Sequence, residues 1–434
     1  MPSGDVFLDF AAYRDKSGLP NALLSAAYAS NPRTASAPED TQSRNGYRLR
    51  PGARLDITGT LTFEAEIGAE QEDRHGNFRS FNSTYSASKE NLSATPRLRW
   101  RHGVGTLSSE SVIGFDYYRG TVKSSYSSSP RQNADQISSS LYLQNSTALS
   151  DEWTLTIGGR RQRMTQNAHQ DEYPAWFQPA LDGKATRTLN AADLGLSYAS
   201  GGWRVYGRAG STYRFANTDE LFGYDNALFV PKFAGDLRPQ HGRIGELGGS
   251  LRTGTVDMRI AAYRLDLTDE IGYDDTASAN VNFDPTRRQG IEAEFGWRIG
   301  GGVKAQAAYT YTDAHFRDGP DAGKNIPLVA KHMATLQIGW DGGKAGTYDV
   351  LTRYIGHRRY SGDYANQRGW LAGYTLTDLQ ASWKLKPWTV TARLLNAFDK
   401  RYAPFAGYST FSADYYYYPG DGRSFQLAAR YDFF

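Results

Sequence analysis

Apolar and polar residues alternate with a period of two along nearly the whole chain. In Leu61–Glu70, apolar or small residues from Leu61 to Ala69 interleave with Thr62, Glu64 and Glu66. Successive side chains of a strand point to opposite faces, so this run predicts a β-strand with one apolar and one wet face. The same alternation recurs at 291–299, 303–312, 334–340 and 378–385. Helical spacing explains none of these runs.

The connections between these runs alternate between short turns and long polar stretches. Short turns are indicated at 58–59, 102–103, 150–151, 201–202, 253–254, 300–302, 342–343 and 386–387. Long polar stretches run over 15–45, 73–91, 165–184, 215–240, 313–324 and 400–420. Tight turns at one end and long loops at the other are typical of a transmembrane antiparallel β-barrel. The pattern predicts an all-β chain of about eighteen strands.

Tryptophan positions support the same architecture. Seven of the nine tryptophans lie within about four residues of a short turn, namely Trp100, Trp153, Trp203, Trp297, Trp340, Trp383 and Trp388. Indole rings concentrate in the headgroup layer of a membrane, so this placement is expected at the short-turn end of a barrel. Only Trp176 and Trp370 fall in predicted long loops.

Charged residues on the polar face of the strands indicate that this face lines the interior of the barrel and that the apolar face is directed outward. Glu64, Glu292 and Arg298 alternate with apolar residues, and each would cost about 2 to 4 kcal/mol if it faced the bilayer midplane. They are therefore expected to line a wet interior. A soluble barrel with the apolar face inside is disfavoured, because eighteen strands enclose a space too wide for side chains to fill.

Composition excludes several other classes of protein. The 434 residues contain no cysteine, carry a net charge of +3 and have a mean hydropathy of -0.60. No apolar run approaches the ~18 residues of a membrane helix, and disulfide frameworks and thiolate metal sites are excluded. Without a basic block, non-specific nucleic-acid binding has no electrostatic support. Residues 1–10 do not resemble a signal peptide, so we expect either a cytoplasmic protein or a missing beginning.

Two positions interrupt the strand pattern. Pro96 falls inside a predicted strand, where it would remove a ladder hydrogen bond. After Val256 the apolar phase shifts near Ala262, from Ile260 to Tyr263 and the residues that follow. This shift predicts either a β-bulge or the exit of the strand from the membrane.

The last strand carries a recognisable ending. Residues 423–434 place Phe425, Leu427, Ala429, Tyr431 and Phe433 on one apolar face. This ending resembles the terminal signature of outer-membrane barrels, with Phe434 as one extra residue. The resemblance implies that these five residues serve insertion by the barrel-assembly machinery.

Several short sequence motifs further upstream resemble those of TonB-dependent outer-membrane receptors. They are 213–215 with 220–221, 237–239 leading to 246–248, 287–292, and 396–402 followed by a long loop and 418–423. Members of that family have a signal peptide, an energy-coupling box, a plug domain and a barrel of twenty-two strands. The resemblance therefore implies that residues 1–434 are one barrel domain, N-terminally truncated, with eighteen of twenty-two strands and no plug domain.

The resemblance also implies a function. We expect an outer-membrane receptor for a scarce bulky nutrient, foremost a ferric siderophore or similar metal chelate, with TonB-coupled transport only when a plug is supplied. Corrinoids and haem remain open. The expected partners are outer-membrane lipid and lipopolysaccharide, the barrel-assembly machinery and the chelate; no nucleic acid and no cofactor are expected. The alternatives are a passive eighteen-stranded porin for small solutes and a soluble carbohydrate-binding β-protein.

Aromatic and arginine clusters in the long loops are the candidate ligand contacts, because such side chains grip polar, often anionic, chelates. They are Arg287, Arg288, Arg358, Arg359, Tyr360, Tyr415, Tyr416, Tyr417 and Tyr418. The competing interpretation places them in an upper aromatic belt or against lipopolysaccharide phosphates.

Metal-binding and catalytic motifs are weak in this chain. The seven histidines are scattered without paired spacing, and only His75, His169 and His315 lie in predicted outer loops where a haem ligand is conceivable. The sequence has no nucleophile motif of the Gly-x-Ser-x-Gly type. We therefore expect a protein that is not an enzyme.

Overall fold

The computed structural model describes residues 3–127, 129–225, 230–274 and 279–433, and these ranges are mostly β-strand. Eighteen strands of the described ranges form one antiparallel sheet. They are β1 (Ser3–Gly18), β2 (Thr41–Asp56), β3 (Leu61–Phe78), β4 (Ser83–Ala94 and Arg97–Val104), β5 (Leu107–Tyr126), β6 (Gln132–Ala148), β7 (Trp153–Gln170), β8 (Leu181–Ser200), β9 (Trp203–Arg214), β10 (Gln240–Arg252), β11 (Val256–Thr268), β12 (Thr286–Gly300), β13 (Val303–Phe316), β14 (His332–Asp341), β15 (Thr347–Ile355), β16 (Tyr374–Leu385), β17 (Trp388–Leu395) and β18 (Ser424–Tyr431). Each strand pairs with the next one along the chain. The predicted antiparallel architecture and strand number are confirmed.

The two halves of β4 are one spanning strand broken at a proline. Both halves lie between β3 and β5, and the break falls at Thr95 and Pro96. The carbonyl of Pro96 still accepts a hydrogen bond from the backbone N–H of Phe115. The prediction that Pro96 interrupts a strand is confirmed, because proline has no N–H to donate to the ladder.

Short elements occupy the connections at the loop end of the sheet. The loop strands are Leu23–Leu24, Phe222–Asp225, Val230–Phe233, Glu270–Asp274, Ala279–Phe283, Arg358–Arg359, Trp370–Leu371, Phe405–Ser409 and Asp414–Tyr418. The helices at this end are Ser25–Ser30 and the 3-10 turns Arg79–Phe81, Pro174–Trp176 and Asp219–Leu221, whereas the 3-10 turn Gly343–Ala345 lies at the opposite end, in the short connection between β14 and β15. Within the described ranges, no helix has the length and apolar character needed to cross a membrane.

The two faces of the sheet differ as the alternation predicts. Large apolar side chains such as Phe115, Leu141 and Ile157 are 43%, 57% and 51% exposed on one face. The intervening residues are polar and shielded, as in the buried Asp116, whose carboxylate lies 2.7 Å from Arg160 Nη1. A curved sheet shields its concave face, so the polar face lines the lumen and the apolar face is turned to lipid.

The first and last strands form a seam. Within the described chain, β1 has a ladder only with β2, and β18 has one only with β17. All eight residues of β18 are exposed. One edge of each strand therefore presents backbone N–H and C=O groups that lack a strand partner among the described residues.

One expectation about strand ends needs correction, and one open alternative is decided. The polar stretch over 73–91 is mostly strand, because β3 continues to Phe78 and β4 begins at Ser83. The bulge near Ala262 is absent from the described ladders, since β11 pairs continuously with β10 and β12. The phase shift instead marks the membrane exit, after which the lipid-side positions carry Arg264 and Asp266 and the buried Leu267 faces the lumen. A strand above the bilayer no longer needs an apolar outer face.

Candidate ligand-binding site

Three segments pack together at the loop end of the barrel, namely 19–40, 356–373 and 396–423, and we call them the outer loop layer. Leu23 and Leu24 pair with Tyr417 and Tyr416. The strand Asp414–Tyr418 also pairs with Phe405–Ser409. The loop that follows β1 is thus hydrogen-bonded to the loop that precedes β18, so the outer loop layer bridges the seam that the spanning strands leave open.

Tyrosines form the core of the outer loop layer. Tyr360 is 8% exposed and packs with Leu371, Ala403 and Ala406. Its ring centroid lies 4.6 Å from that of Tyr415. Burial raises the pKa of Tyr360 far above its usual range, which keeps the hydroxyl neutral.

Tyr417 extends this core toward the first loop. Its ring stacks on Tyr28 with a centroid distance of 4.5 Å and an interplanar angle of 8°. Its hydroxyl lies 3.3 Å from the hydroxyl of Tyr360. Tyr360, Tyr415 and Tyr417, all proposed from the sequence as ligand contacts, therefore hold the loops together.

Arg358 and Arg359 also make contacts within the layer. Arg358 is 4% exposed, and its Nη2 donates to the carbonyls of Ala403 and Pro404 at 3.0 and 2.7 Å. Its Nη1 has no hydrogen-bond partner among the described residues, and burial lowers its pKa. The Arg359 guanidinium lies 3.8 Å from the centroid of the Trp370 ring. Arg358 is shielded inside the layer, whereas Arg359 is partly accessible beside an indole that is 42% exposed.

Arg287 and Arg288 point to opposite faces of β12. Arg287 lies opposite Asp266 on the lipid-facing side, and its Nε donates to that carboxylate at 2.7 Å. Arg288 faces the lumen, where its Nη2 donates to Glu270 at 2.7 Å. Adjacent residues of a strand cannot share a face, so the structure does not bring these two arginines into one site.

The accessible aromatic side chains of the layer lie on the face of strand Asp414–Tyr418 opposite the tyrosine core, and in the hairpin turn before that strand. Tyr416 and Tyr418 alternate with the core tyrosines, and Tyr418 is 41% exposed. Phe405 packs between them, with its centroid 6.3 Å from that of Tyr416 and 5.6 Å from that of Tyr418. Phe411 is 100% exposed at the tip of the hairpin. Sequence reasoning missed Phe411, although its place in a polar loop was a usable signal.

Carboxylates tie the loops across the seam. Asp414 accepts hydrogen bonds from the Ser25 hydroxyl at 2.6 Å and from the Ser25 N–H at 3.2 Å. The Ser25 hydroxyl lowers the pKa of Asp414. Asp399 lies 2.7 Å from Arg33, and the backbone N–H of Arg423 lowers the pKa of this carboxyl. These carboxylates were not identified from the sequence because their partners lie more than 300 residues away.

Asn396 shapes the turn after β17. Its side chain is 5% exposed and its φ is +46°. The Nδ2 atom donates to the carbonyls of Lys400 and Asp421, both at 3.0 Å, while Oδ1 accepts from the Lys400 N–H at 2.8 Å. Asn396 is the first residue of the segment 396–402, whose sequence resembles that of the receptor family named in the sequence analysis. The structure shows that its side chain stabilises this turn, which the sequence did not reveal.

Histidines and acidic residues do not assemble a metal centre in the described part of the chain. No group of three or more His, Cys, Asp or Glu side chains there is arranged to hold a metal ion. His75 and His169 lie near the outer ends of β3 and β7, and His315 lies 3.2 Å from Asp313 on β13. The structure thus leaves these three histidines in separate places.

The barrel wall and its loops can now be compared with known proteins. Residues 2–397 match the family model described as TonB dependent receptor-like, beta-barrel. The chain belongs to this family. Its members are receptors and transporters, in agreement with the prediction that the chain is not an enzyme.

Solved structures of this family share the fold. The siderophore receptor PiuA from Acinetobacter baumannii superposes with a TM-score of 0.83 at 14% identity, over 99% of this chain and 72% of PiuA. The ferric yersiniabactin receptor FyuA from Yersinia pestis gives 0.79 at 18% identity, over 99% and 68%. The ferric-catecholate import receptor Fiu from E. coli K12 gives 0.77 at 15% identity, over 98% and 72%. At these identities the likeness concerns the fold, which is that of an outer-membrane barrel.

Proposed function

We propose that this chain is the barrel part of an outer-membrane receptor that captures a ferric siderophore or a similar metal chelate. The observation that carries the proposal is the outer loop layer, a folded, tyrosine-rich cover at the loop end of a polar lumen. Membership in the TonB-dependent receptor family supports it. Energised uptake would require a plug domain and the TonB complex, as the family resemblance implies.

The accessible face of the layer is the proposed contact surface. Tyr416, Tyr418 and Phe411 offer aromatic area, and the Arg359–Trp370 pair adds a cation beside an indole. Such groups suit a bulky chelate with aromatic and anionic parts. Tyr360 and Arg358 are too shielded to touch a ligand unless the loops rearrange, so their role is support.

A binding experiment with the full chain refolded in detergent tests the proposal. Ferric catecholate and ferric hydroxamate chelates are titrated while tryptophan fluorescence is recorded, since Trp370 lies at the surface of the layer. We expect saturable quenching by at least one chelate. Tyr418→Ala with Phe411→Ala should weaken it roughly tenfold, because hot-spot aromatics are worth about 1 to 2 kcal/mol or more.

The control variant is Trp153→Ala, at the short-turn end of the barrel and 42% exposed. It should leave the affinity unchanged. Absence of binding by every chelate, together with steady ion conductance in a planar bilayer, would favour the passive porin instead. Equal weakening by the loop variant and the Trp153 variant would contradict the assignment of the contact surface.

A further inference from the structure

A small cleft lies above the seam, at a place where three segments of the outer loop layer meet. Residues 31–33 come from the loop after β1, residues 399–402 follow β17, and residues 420–422 precede β18. The cleft has a volume of about 120 Å³. We call it the seam cleft, and the lining residues that matter for its chemistry are Arg33, Asp399, Lys400, Arg401, Tyr402 and Gly422.

Two glycines shape the wall of the seam cleft. An ideal Cβ atom at Gly422 would lie 2.5 Å from Nη2 and 2.9 Å from Nε of Arg33, so the guanidinium occupies the space of a side chain. A Cβ atom at Gly420 would overlap the ring of Tyr402 in the same way. Only glycine lets another group approach the backbone this closely. The segment before β18 therefore holds Arg33, which belongs to the other side of the seam, directly against its main chain.

The cationic side chains of the seam cleft are only partly neutralised. Arg33 Nη2 lies 2.7 Å from Asp399, whose carboxylate also accepts the backbone N–H of Arg423 at 2.9 Å. Lys400 and Arg401 are exposed, and neither side chain makes a hydrogen bond or an ion pair within the described part of the chain. One carboxylate in the lining therefore faces three cations.

The charges beside the cleft do not remove this imbalance. Arg423 and Asp421 follow and precede Gly422 in the chain and add one cation and one carboxylate. Asp378 and Asp414, in neighbouring segments, already have partners of their own. Four cations thus face two carboxylates, which leaves a surplus of two positive charges.

We propose that the seam cleft binds one free tetrahedral oxyanion with two negative charges, of the size of inorganic phosphate. The charge of such an ion equals the surplus around the cleft, and guanidinium forks and lysine ammonium groups are the usual donors to phosphate oxygens. A metal chelate does not fit, because pockets for larger ligands have roughly 300 to 1,000 Å³. Among the described residues, no side chain of the proposed contact surface lines the cleft. The site is distinct from that surface and does not depend on the proposed function.

The bound anion joins the two sides of the seam. Arg33 belongs to the loop after β1, whereas Lys400 and Arg401 belong to the connection between β17 and β18, and no ladder of the described ranges links β1 to β18. An ion that binds only the assembled loops stabilises them by mass action. The anion therefore clamps the outer loop layer, in addition to the backbone pairing of Leu23 and Leu24.

Calorimetric titration of the full chain refolded in detergent tests the site. Inorganic phosphate is titrated at about pH 8, where it is mostly doubly charged, and chloride at the same ionic strength is the reference for screening. We expect saturable binding of phosphate and none of chloride. At a free phosphate concentration of about 100 times Kd, amide exchange in 396–402 should slow about a hundredfold, because opening of the loops releases the ion.

Two variants locate the ion. Lys400→Gln with Arg401→Gln should bind phosphate roughly tenfold more weakly. Gly422→Ala keeps every charge but displaces the Arg33 guanidinium, so it should weaken binding roughly threefold or more. Amide exchange in β16 and β17 that matches the wild type shows that each variant is folded.

The matched control carries Arg131→Gln and Lys324→Gln, which removes two exposed loop cations whose side chains have no partner among the described residues. It should stay within about twofold of the wild type. Equal losses in this control and in the Lys400 and Arg401 variant, or equal binding of chloride, would overturn the proposal. Glucose 1-phosphate carries the same dianion on a group too large for the cleft and should bind at least roughly tenfold more weakly; equal binding would contradict the enclosed site.

Chelate binding distinguishes this proposal from the proposed function. The Lys400 and Arg401 variant should bind a ferric chelate as the wild type does, since the contact surface is intact. A joint loss of chelate and phosphate binding would make the seam cleft part of the chelate site and overturn the inference. Phosphate binding without binding of any chelate would support the seam cleft and count only against the proposed function.

Discussion

Asn396 provides the sharpest test of how the outer loop layer is held. Replacing it by alanine removes three side-chain hydrogen bonds, two donated by Nδ2 and one accepted by Oδ1. Each such bond contributes about 1 kcal/mol net, and alanine at a φ of +46° adds about 1 kcal/mol of backbone strain. We therefore expect Asn396→Ala to destabilise the segment that follows by about 4 kcal/mol.

The variants of this position separate the two contributions. Asn396→Gly loses the same hydrogen bonds but accepts the positive φ, so it should be destabilised by about 3 kcal/mol. Asn21→Ala is the matched control, because Asn21 also has a positive φ of +60° but is exposed, and its side chain bonds only the adjacent N–H of Ala22 among the residues that the structure describes. It should cost about 1 kcal/mol.

Hydrogen exchange of the amides in 397–423 measures these costs locally. A loss of 4 kcal/mol corresponds to a rise of nearly three orders of magnitude in the opening equilibrium, at ~1.4 kcal/mol per tenfold. The amides of the spanning strands β16 and β17 should exchange as in the wild type. Unchanged exchange in 397–423 for Asn396→Ala, or an equal effect of Asn21→Ala there, would refute the reasoning.

Three further outcomes are expected. Cysteines at Leu24 and Tyr416, which are cross-strand partners, should form a disulfide in this cysteine-free chain, visible on a non-reducing gel and absent if the two loops do not pair. Asp399 and Asp414 have lowered pKa values in the folded protein, so the stability that they contribute is complete above the unfolded pKa of about 4 and is lost as the pH falls through the folded pKa values. Proteolysis of the loops should therefore increase below about pH 4 and stay unchanged between pH 6 and 8. Tyr360→Ala should loosen the same loops by about 3 to 5 kcal/mol, measured by hydrogen exchange, with unaltered loop protection contradicting a core role.

Local sequence patterns predicted the membrane-spanning strands of the barrel correctly. Alternation, tryptophan at the short turns and Pro96 within a strand all reflect interactions of a residue with lipid, water or its own ladder. The strand number and the broken strand β4 are confirmed for that reason. Of the two causes that the sequence left open for the phase shift at Ala262, the continuous ladders of β11 exclude the bulge and leave the exit from the membrane.

The contacts within the candidate site could not be predicted from such local patterns. Arg287 and Arg288 are adjacent in sequence and suggest one cluster, but consecutive side chains of a strand point to opposite faces. Arg287 therefore lies on the lipid-facing side and Arg288 on the lumen side. Tyr360 and Tyr417 look like binding residues, yet they form the core of the outer loop layer with Tyr28. Whether any of the nine proposed residues touches a ligand remains a prediction.

The sequence by itself determined the strands, their two faces and the end of each strand that meets the headgroups, because these depend on the periodicity of single residues against a uniform solvent. Only the tertiary structure decided that the loop after β1 pairs with the loop before β18. It also decided that Ser25 bonds Asp414 and that, within the described ranges, no ladder joins β1 to β18. Contacts between residues nearly 400 positions apart follow from how the sheet curves in space, and no local pattern encodes that curvature.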